Sequence, residues 1–173
     1  MTTKTVASEV TNDQLVSELW ARDVPFLFGE QIPPHPLLDP AALIQSLAQS
    51  NEARVRMALI PLFLRHPEFS FDAKKADGAL SFQTGQLYLR FYYTASILLQ
   101  RKYRERLVKI FGEQRQLPDL FSSMLGVSLN QNHVQALGEL AKRHQILSGQ
   151  KLNWLETYEH GAERFVKHVE KFR

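Results

Sequence analysis

The thirteen residues from Leu87 to Leu99 carry a single charge, that of Arg90, in a run of leucines, tyrosines and other apolar side chains. A helix that is apolar almost all round has to be covered on every side, so this segment belongs at the centre of a helical bundle. Its aromatic content would also suit a strand, but no similar segment lies nearby to pair with it. The segment therefore predicts a protein built around one buried helix.

The rest of the chain shows helical spacing of apolar residues and no convincing strand pattern, so the predicted fold class is an all-α, compact helical bundle. Asp39 followed by Pro40 is a typical helix start. Pro61 falls inside a predicted helix and should kink it, whereas Asp77-Gly78 is expected to form a turn. The predicted helices cover about 12–21, 40–50, 52–66, 87–111, 117–125, 130–147 and 154–171.

Three prolines fall within the six residues 31–36, which makes this stretch stiff and non-helical. We expect it to separate an N-terminal helix and arm, residues 1–38, from a helical domain, residues 39–173, which forms one cooperative unit. The arm carries apolar residues that could dock into a partner or a second copy, or else pack on the arm's own domain. These residues are Phe26, Phe28 and Ile32.

Several classes of protein are disfavoured by what the sequence lacks. It has no cysteine, which excludes disulfides and cysteine chemistry and fits a cytoplasmic protein. It has no apolar run long enough to span a membrane, no secretory signal, and no glycine-rich phosphate loop, so no cofactor is expected. Glu156, His160 and Glu163 share one helical face, but one helix offers too few ligands, and no metal site is predicted.

Charge is unevenly distributed along the chain. The net charge of +3 arises from −3 over residues 1–86 and +6 over residues 87–173. A basic cluster around Tyr103 contributes most to this asymmetry, and it could neutralise the phosphates of a nucleic acid. The alternative is that the long basic side chains only cover the apolar flank of an emerging helix. The cluster consists of Arg101, Lys102, Arg104, Arg106 and Lys109.

Arg164 and His168 are the weak candidates for a catalytic pair. They resemble the Arg…His pair of the helical HEPN ribonucleases, although three residues separate them here and that family places four to six between the pair. At this spacing the two side chains are neighbours on one helix surface, which a solvated pair would also satisfy. The resemblance implies RNA cleavage.

Residues 39–68 resemble a single HEAT-like helical hairpin. The resemblance rests on Leu43-Ile-Gln-Ser-Leu47, the polar turn Ser50-Asn51-Glu52 and the segment Val55-Arg56-Met57-Ala58. HEAT repeats show this order of a leucine-rich helix, a polar turn and a second helix opened by Val-Arg and a small residue. No further copy follows at a period near 40, so we expect one hairpin packed on other helices rather than a solenoid. The resemblance implies a protein-binding scaffold.

The sequence thus favours a non-enzymatic interaction or regulatory module of the bacterial cytoplasm, with a protein partner or a second copy of the chain. The alternative is a nucleic-acid-binding or RNA-cleaving protein that uses the basic cluster. A third reading is a small-molecule pocket lined by Tyr88, Tyr92 and Tyr93, although buried tyrosines more often serve the core.

Overall fold

The computed structural model describes residues 10–29, 36–81 and 85–172, and these residues form helices and loops without any strand. A 3₁₀ turn, Pro67–Phe69, joins the fourth and fifth helices. The helices are α1 (Asn12–Ala21), α2 (Pro40–Gln49), α3 (Ala53–Met57), α4 (Leu59–Arg65), α5 (Ser70–Ala79), α6 (Gly85–Lys102), α7 (Arg104–Phe111), α8 (Ser122–Leu125), α9 (His133–Ser148) and α10 (Trp154–Phe172).

Helix α6 lies at the centre of the bundle. It packs against α2, α4, α5, α9 and α10, and the run from Phe91 to Leu99 is buried without interruption. Because this run has almost no charge to keep in water, surrounding it with helices is the arrangement that hides the most apolar surface. The predictions of an all-α fold and of a central buried helix are confirmed.

The kink predicted from Pro61 appears as a break between α3 and α4 at Ala58. Proline has no N–H to donate to the carbonyl four residues earlier, and its ring collides with that carbonyl. The carbonyl four residues before Pro61 is that of Met57, the last residue of α3. The regular helix is therefore interrupted at Ala58, and Val55 of α3 and Leu59 of α4 are both buried.

The expected turn at Asp77-Gly78 is wrong, because both residues lie inside α5. Tertiary contacts override the local turn preference of this pair. Arg90 donates to both carboxylate oxygens of Asp77 at 2.8 and 3.1 Å, and Gln86 donates to the Asp77 carbonyl at 2.9 Å. Because these bonds come from α6, the local sequence around Asp77 does not indicate them.

A single hydrophobic core extends across the boundary predicted at residue 38. Leu15 and Leu19 of α1 belong to the same cluster of buried side chains as Phe165 of α10. A buried ion pair, Glu18 with Arg22, fixes the chain beyond α1. The Leu38 N–H donates to Glu18 at 3.0 Å, and Arg22 donates to the Leu38 carbonyl, so this network joins α1 to the entry of α2.

The imidazole ring of His144 in α9 is fully buried in the interior. The imidazole is stacked between Phe91 and Trp154, with ring centroids 4.2 and 3.6 Å away. Its Nδ1 is hydrogen bonded to the Tyr158 hydroxyl at 2.5 Å, while Nε2 has no partner among the described residues. Burial lowers the pKa of His144 to about 3, so the ring is neutral at physiological pH.

Candidate functional site

Two groups of residues that the sequence placed far apart meet on one surface. Phe26 and Phe28 follow α1, and Arg164 and His168 lie on α10. The guanidinium of Arg164 lies over the Phe26 ring at 5.2 Å and over the Phe28 ring at 5.9 Å, and the His168 ring contacts Phe28 at 5.9 Å. The fold therefore brings the predicted arm residues and the predicted Arg–His pair into one site.

The turn after α1 positions the first half of this site. Asp23 has a φ of +62°, a left-handed conformation that aspartate tolerates better than most side chains. Its carboxylate pairs with Arg65 at 3.1 Å, and the Trp20 indole donates to the Leu27 carbonyl at 2.7 Å. These bonds hold residues 23–29 against α1, so that Phe26 is buried and Phe28 faces the surface.

Helix α10 supplies the second half. Its inward residues Trp154, Tyr158, Phe165 and Val169 are buried. Towards the C-terminal end of α10, the His168 ring contacts the Trp20 ring edge-on, with centroids 6.2 Å apart. The Phe172 ring is tilted against the His168 ring, with centroids 4.7 Å apart. Edge-to-face contacts of this kind fix the relative orientation of aromatic rings. The result is a continuous aromatic cluster of Trp20, Phe28, His168 and Phe172.

A groove of about 440 Å³ runs along this cluster, and we refer to it as the aromatic groove. Phe28 is 59% exposed and Phe172 is 67% exposed, although both belong to a contiguous aromatic surface. Clustered exposed aromatic side chains of this size mark binding surfaces, whereas isolated ones do not. The lining residues are Trp20, Asp23, Pro25, His168, Val169 and Phe172.

Two cations lie at the rim of the aromatic groove, and the carboxylate of Asp23, which lines it, is paired with Arg65. Lys171 lies 5.4 Å from the centre of the Phe172 ring, and Arg164 covers the phenylalanines at the other end. Neither cation has a carboxylate within 4 Å among the described residues. Cations held over aromatic faces keep their charge available to an incoming acidic group.

The contacts of Arg164 and His168 give little support to the prediction that this pair cleaves RNA. An acid–base histidine needs a hydrogen-bonding group that orients its ring, and the neighbours of His168 are aromatic rings. Arg164 is engaged with Phe26 and Phe28 rather than aimed at a shared reaction centre with His168. RNA cleavage stays an untested prediction.

The basic cluster divides into two faces. Lys102 pairs with Glu159 at 3.0 Å, and Arg106 pairs with Glu163 at 3.0 Å and with Glu170 at 2.5 Å. Their partners lie on α10, so these two cations are neutralised within the molecule. A hydrogen bond from Arg106 lowers the pKa of Glu170, which is the expected effect of a neighbouring guanidinium.

Replacing Arg106 by Met is expected to lower the free energy of unfolding by about 1 kcal/mol, because Glu163 and Glu170 would face each other without the intervening guanidinium. The pairs are partly exposed, so the loss should shrink in about 0.5 M NaCl. Urea unfolding at low and high salt checks this. Lys142→Met, which removes an exposed cation of α9 away from these carboxylates, is the control, and an equal loss in that variant would contradict the assignment.

The remaining members of the cluster have other surroundings. Arg101 donates to the Leu129 carbonyl at 2.7 Å, Arg104 lies 4.0 Å from Glu113, and Lys109 is exposed and acts electrostatically on Glu170. Binding of a nucleic acid by the five cations stays a prediction. Ile32 lies outside the described residues.

Tyr88, Tyr92 and Tyr93 make different contacts within the bundle. Tyr88 stacks on Tyr92 with centroids 6.0 Å apart, whereas Tyr93 donates to the Pro118 carbonyl at 2.7 Å on another side of α6. Within the described residues no group of three or more histidine or acidic side chains could hold a metal ion. Glu163 of the ligand-like row is instead bound by Arg106.

Sequence reasoning missed two residues of the aromatic groove, Trp20 and Phe172. Trp20 lies on α1, where it packs against the core and is only partly buried. Phe172 follows Phe165 and Val169 at helical spacing, so it continues the inward face of α10 at the point where α10 outruns the core. An apolar residue that extends such a stripe is the signal that could have identified it.

The fold and the groove define an all-α protein with a cation-rimmed aromatic surface. Searches of protein-family models, of curated proteins and of solved structures give no significant match to this chain. None of the described helices is long and apolar enough to cross a bilayer.

Proposed function

We propose that this protein is a non-enzymatic interaction module that binds a partner protein through the aromatic groove. The partner presents an acidic segment with a bulky apolar side chain as its anchor. The observation that carries the proposal is the exposure of Phe28 and Phe172 on the cluster that they form with Trp20 and His168. Large aromatic side chains dominate the binding free energy of protein interfaces.

The acidic character of the partner follows from the rim of the groove. Arg164 and Lys171 lack carboxylate partners among the described residues, in contrast to Lys102 and Arg106. An acidic segment would complement this rim and speed association, while its apolar anchor would fill the 440 Å³ groove. The HEAT-like character of residues 39–68 supports the same proposal, because such hairpins serve as binding scaffolds. A cytoplasmic location fits the absence of cysteine from the sequence.

Trp20 allows binding to be measured directly. The chain has two tryptophans, so Trp154→Phe leaves Trp20 as the sole fluorescent reporter, at the edge of the groove. The probe is a short glutamate-rich peptide that carries Phe and Leu four positions apart. One control peptide replaces glutamate by glutamine, and a second replaces Phe and Leu by alanine. We expect saturable quenching or enhancement with the first peptide, at least fivefold weaker binding of the glutamine peptide and none of the alanine peptide.

Phe28→Ser and Phe172→Ser are each expected to weaken binding of the acidic peptide by about tenfold or more, because truncating an aromatic anchor site costs upwards of about 1.4 kcal/mol. Both side chains are largely exposed, so these variants should fold. Phe71→Ser on α5 makes the same change at an exposed phenylalanine outside the groove and should bind like the parent. Equal binding by all three variants, or equal binding of all three peptides, would refute the proposal.

A further inference from the structure

A second cavity, of about 230 Å³, lies under the segment that follows α7, and it is independent of the aromatic groove. Its apolar wall is formed by Ile97 of α6, Leu107 of α7 and Leu117 of the covering segment, all of them buried. Its mouth is polar and contains Arg101, Arg104 and Glu113. A concave apolar space with a few convergent polar groups is the usual form of a small-molecule site.

The covering segment is held in place by side chains of its neighbours. Gly112 has a φ of +79°, which lets the chain turn back at the end of α7. The Gln100 amide donates to the Arg115 carbonyl and accepts from the Leu117 N–H, both at 2.9 Å. Gln114 donates to the Leu64 carbonyl at 3.1 Å. Because this segment is tied to both α6 and α4, the cavity is preformed, and little ordering is needed on binding.

The charge at the mouth distinguishes this cavity from a packing defect. Lys102 and Arg106 are neutralised at 3.0 Å by carboxylates of α10, but Arg104 has only Glu113 at 4.0 Å. The side chains of Arg104 and Glu113 are 65% and 78% exposed, so this pair is weak. Arg101 and Arg104, two cations of the basic cluster that carboxylates of α10 do not neutralise, thus line a cavity.

We propose that the cavity binds a small amphipathic carboxylate, a fatty or aromatic acid. Two guanidinium charges and the carboxylate of Glu113 leave one positive charge at the mouth, which matches a single anionic group. Guanidinium groups bind carboxylates through paired hydrogen bonds, and the single bond from Arg101 to Leu129 leaves its other donors for this. The volume is below the roughly 300–1,000 Å³ of sites for drug-sized ligands, which limits the ligand to about ten non-hydrogen atoms.

Octanoate is the probe, and octanamide, the same chain without the charge, is the control ligand. Binding is followed through the methyl signals of Ile97, Leu107 and Val108 in protein labelled with ¹³C at methyl groups. We expect these signals to shift saturably with a dissociation constant of about 1 mM or less, and octanamide to bind at least fivefold more weakly. Shifts confined to Val169, which lines the aromatic groove, or equal affinity for both ligands would overturn the proposal.

Two variants test the assignment of the residues. Arg104→Gln removes an exposed charge and is expected to weaken octanoate binding at least threefold, whereas Lys109→Gln, on the same helix but outside the cavity, is not. Val108→Phe narrows the cavity and should abolish the shifts of Ile97. Should Val108→Phe fail to fold, Arg104→Gln alone decides, and unchanged binding in that variant would overturn the proposal.

Discussion

Acidification from pH 6.5 towards pH 4 is expected to lower the free energy of unfolding by about 1.4 kcal/mol per pH unit through His144 alone. Burial holds the pKa of His144 at about 3 in the folded chain, against 6.5 when it is exposed. Between these values the unfolded chain binds a proton that the folded chain does not. The stabilisation is therefore fully present above pH 6.5 and is lost progressively as the pH falls towards 3.

The surroundings of the ring explain why it resists protonation. Phe91 and Trp154 cover its two faces, and Tyr158 occupies Nδ1. None of its contacts within the described residues is a carboxylate, so a proton on the imidazole would add an uncompensated charge to the core. Burial also raises the pKa of Tyr158 well above its usual value, which keeps the hydroxyl neutral.

Substitutions isolate this contribution from that of the carboxylates, which also titrate in acid. The double variant His144→Phe, Tyr158→Phe removes both hydrogen-bonding partners. Below pH 6.5 its free energy of unfolding should fall less steeply than that of the parent, by about 1.4 kcal/mol per pH unit. At pH 7 the free energy of unfolding of His144→Phe alone should lie ~1–3 kcal/mol below that of the double variant, because the Tyr158 hydroxyl loses its partner. Urea unfolding at several pH values measures both effects. His160→Gln, at an exposed histidine of α10, is the control, and a pH dependence of the double variant as steep as that of the parent would refute the assignment.

Much of the fold could be predicted because it depends on local pattern and burial. The near absence of charge in residues 87–99 predicts the position of α6, and Pro61 predicts the kink. The predicted ends of α8 and α9 lie close to Gly126 and Gly149, which follow these helices with φ of +72° and +69°, since glycine reaches this conformation without strain.

The candidate site could be predicted only in pieces, because contacts between distant segments have no local signal. Phe28 and Arg164 were each singled out, yet nothing in their own neighbourhoods says that they meet. The ion pairs of the basic cluster also join segments that are distant in the sequence. Glu159, Glu163 and Glu170 are spaced by four and seven residues, which places them on one face of α10. Such an acidic row indicates a complementary basic helix, but it does not say which cations it neutralises.

Breaking the buried pair of Glu18 and Arg22 should have the other large effect. We expect Glu18→Ala to lower the free energy of unfolding by about 3 kcal/mol, because Arg22 would be left as an uncompensated buried charge. The Leu38 N–H would also lose its acceptor. Glu18→Leu with Arg22→Met removes both charges and should be closer to the parent, so a double-mutant cycle measures the coupling. Arg54→Ala breaks the exposed pair with Glu52 and should have no measurable effect.

The same variant links stability to the aromatic groove. Arg22 belongs to the turn that carries Phe28, and its carbonyl is hydrogen bonded to His66 at 2.6 Å, so the ion pair fixes that turn on the body of the protein. Glu18→Ala should therefore weaken binding of the acidic peptide even where the chain is still folded, although neither Glu18 nor Arg22 lines the groove. The peptide titration, repeated with Trp20 as reporter under conditions where circular dichroism shows a native helix content, tests this. Unchanged affinity in a destabilised Glu18→Ala protein would mean that Phe28 keeps its position without the ion pair.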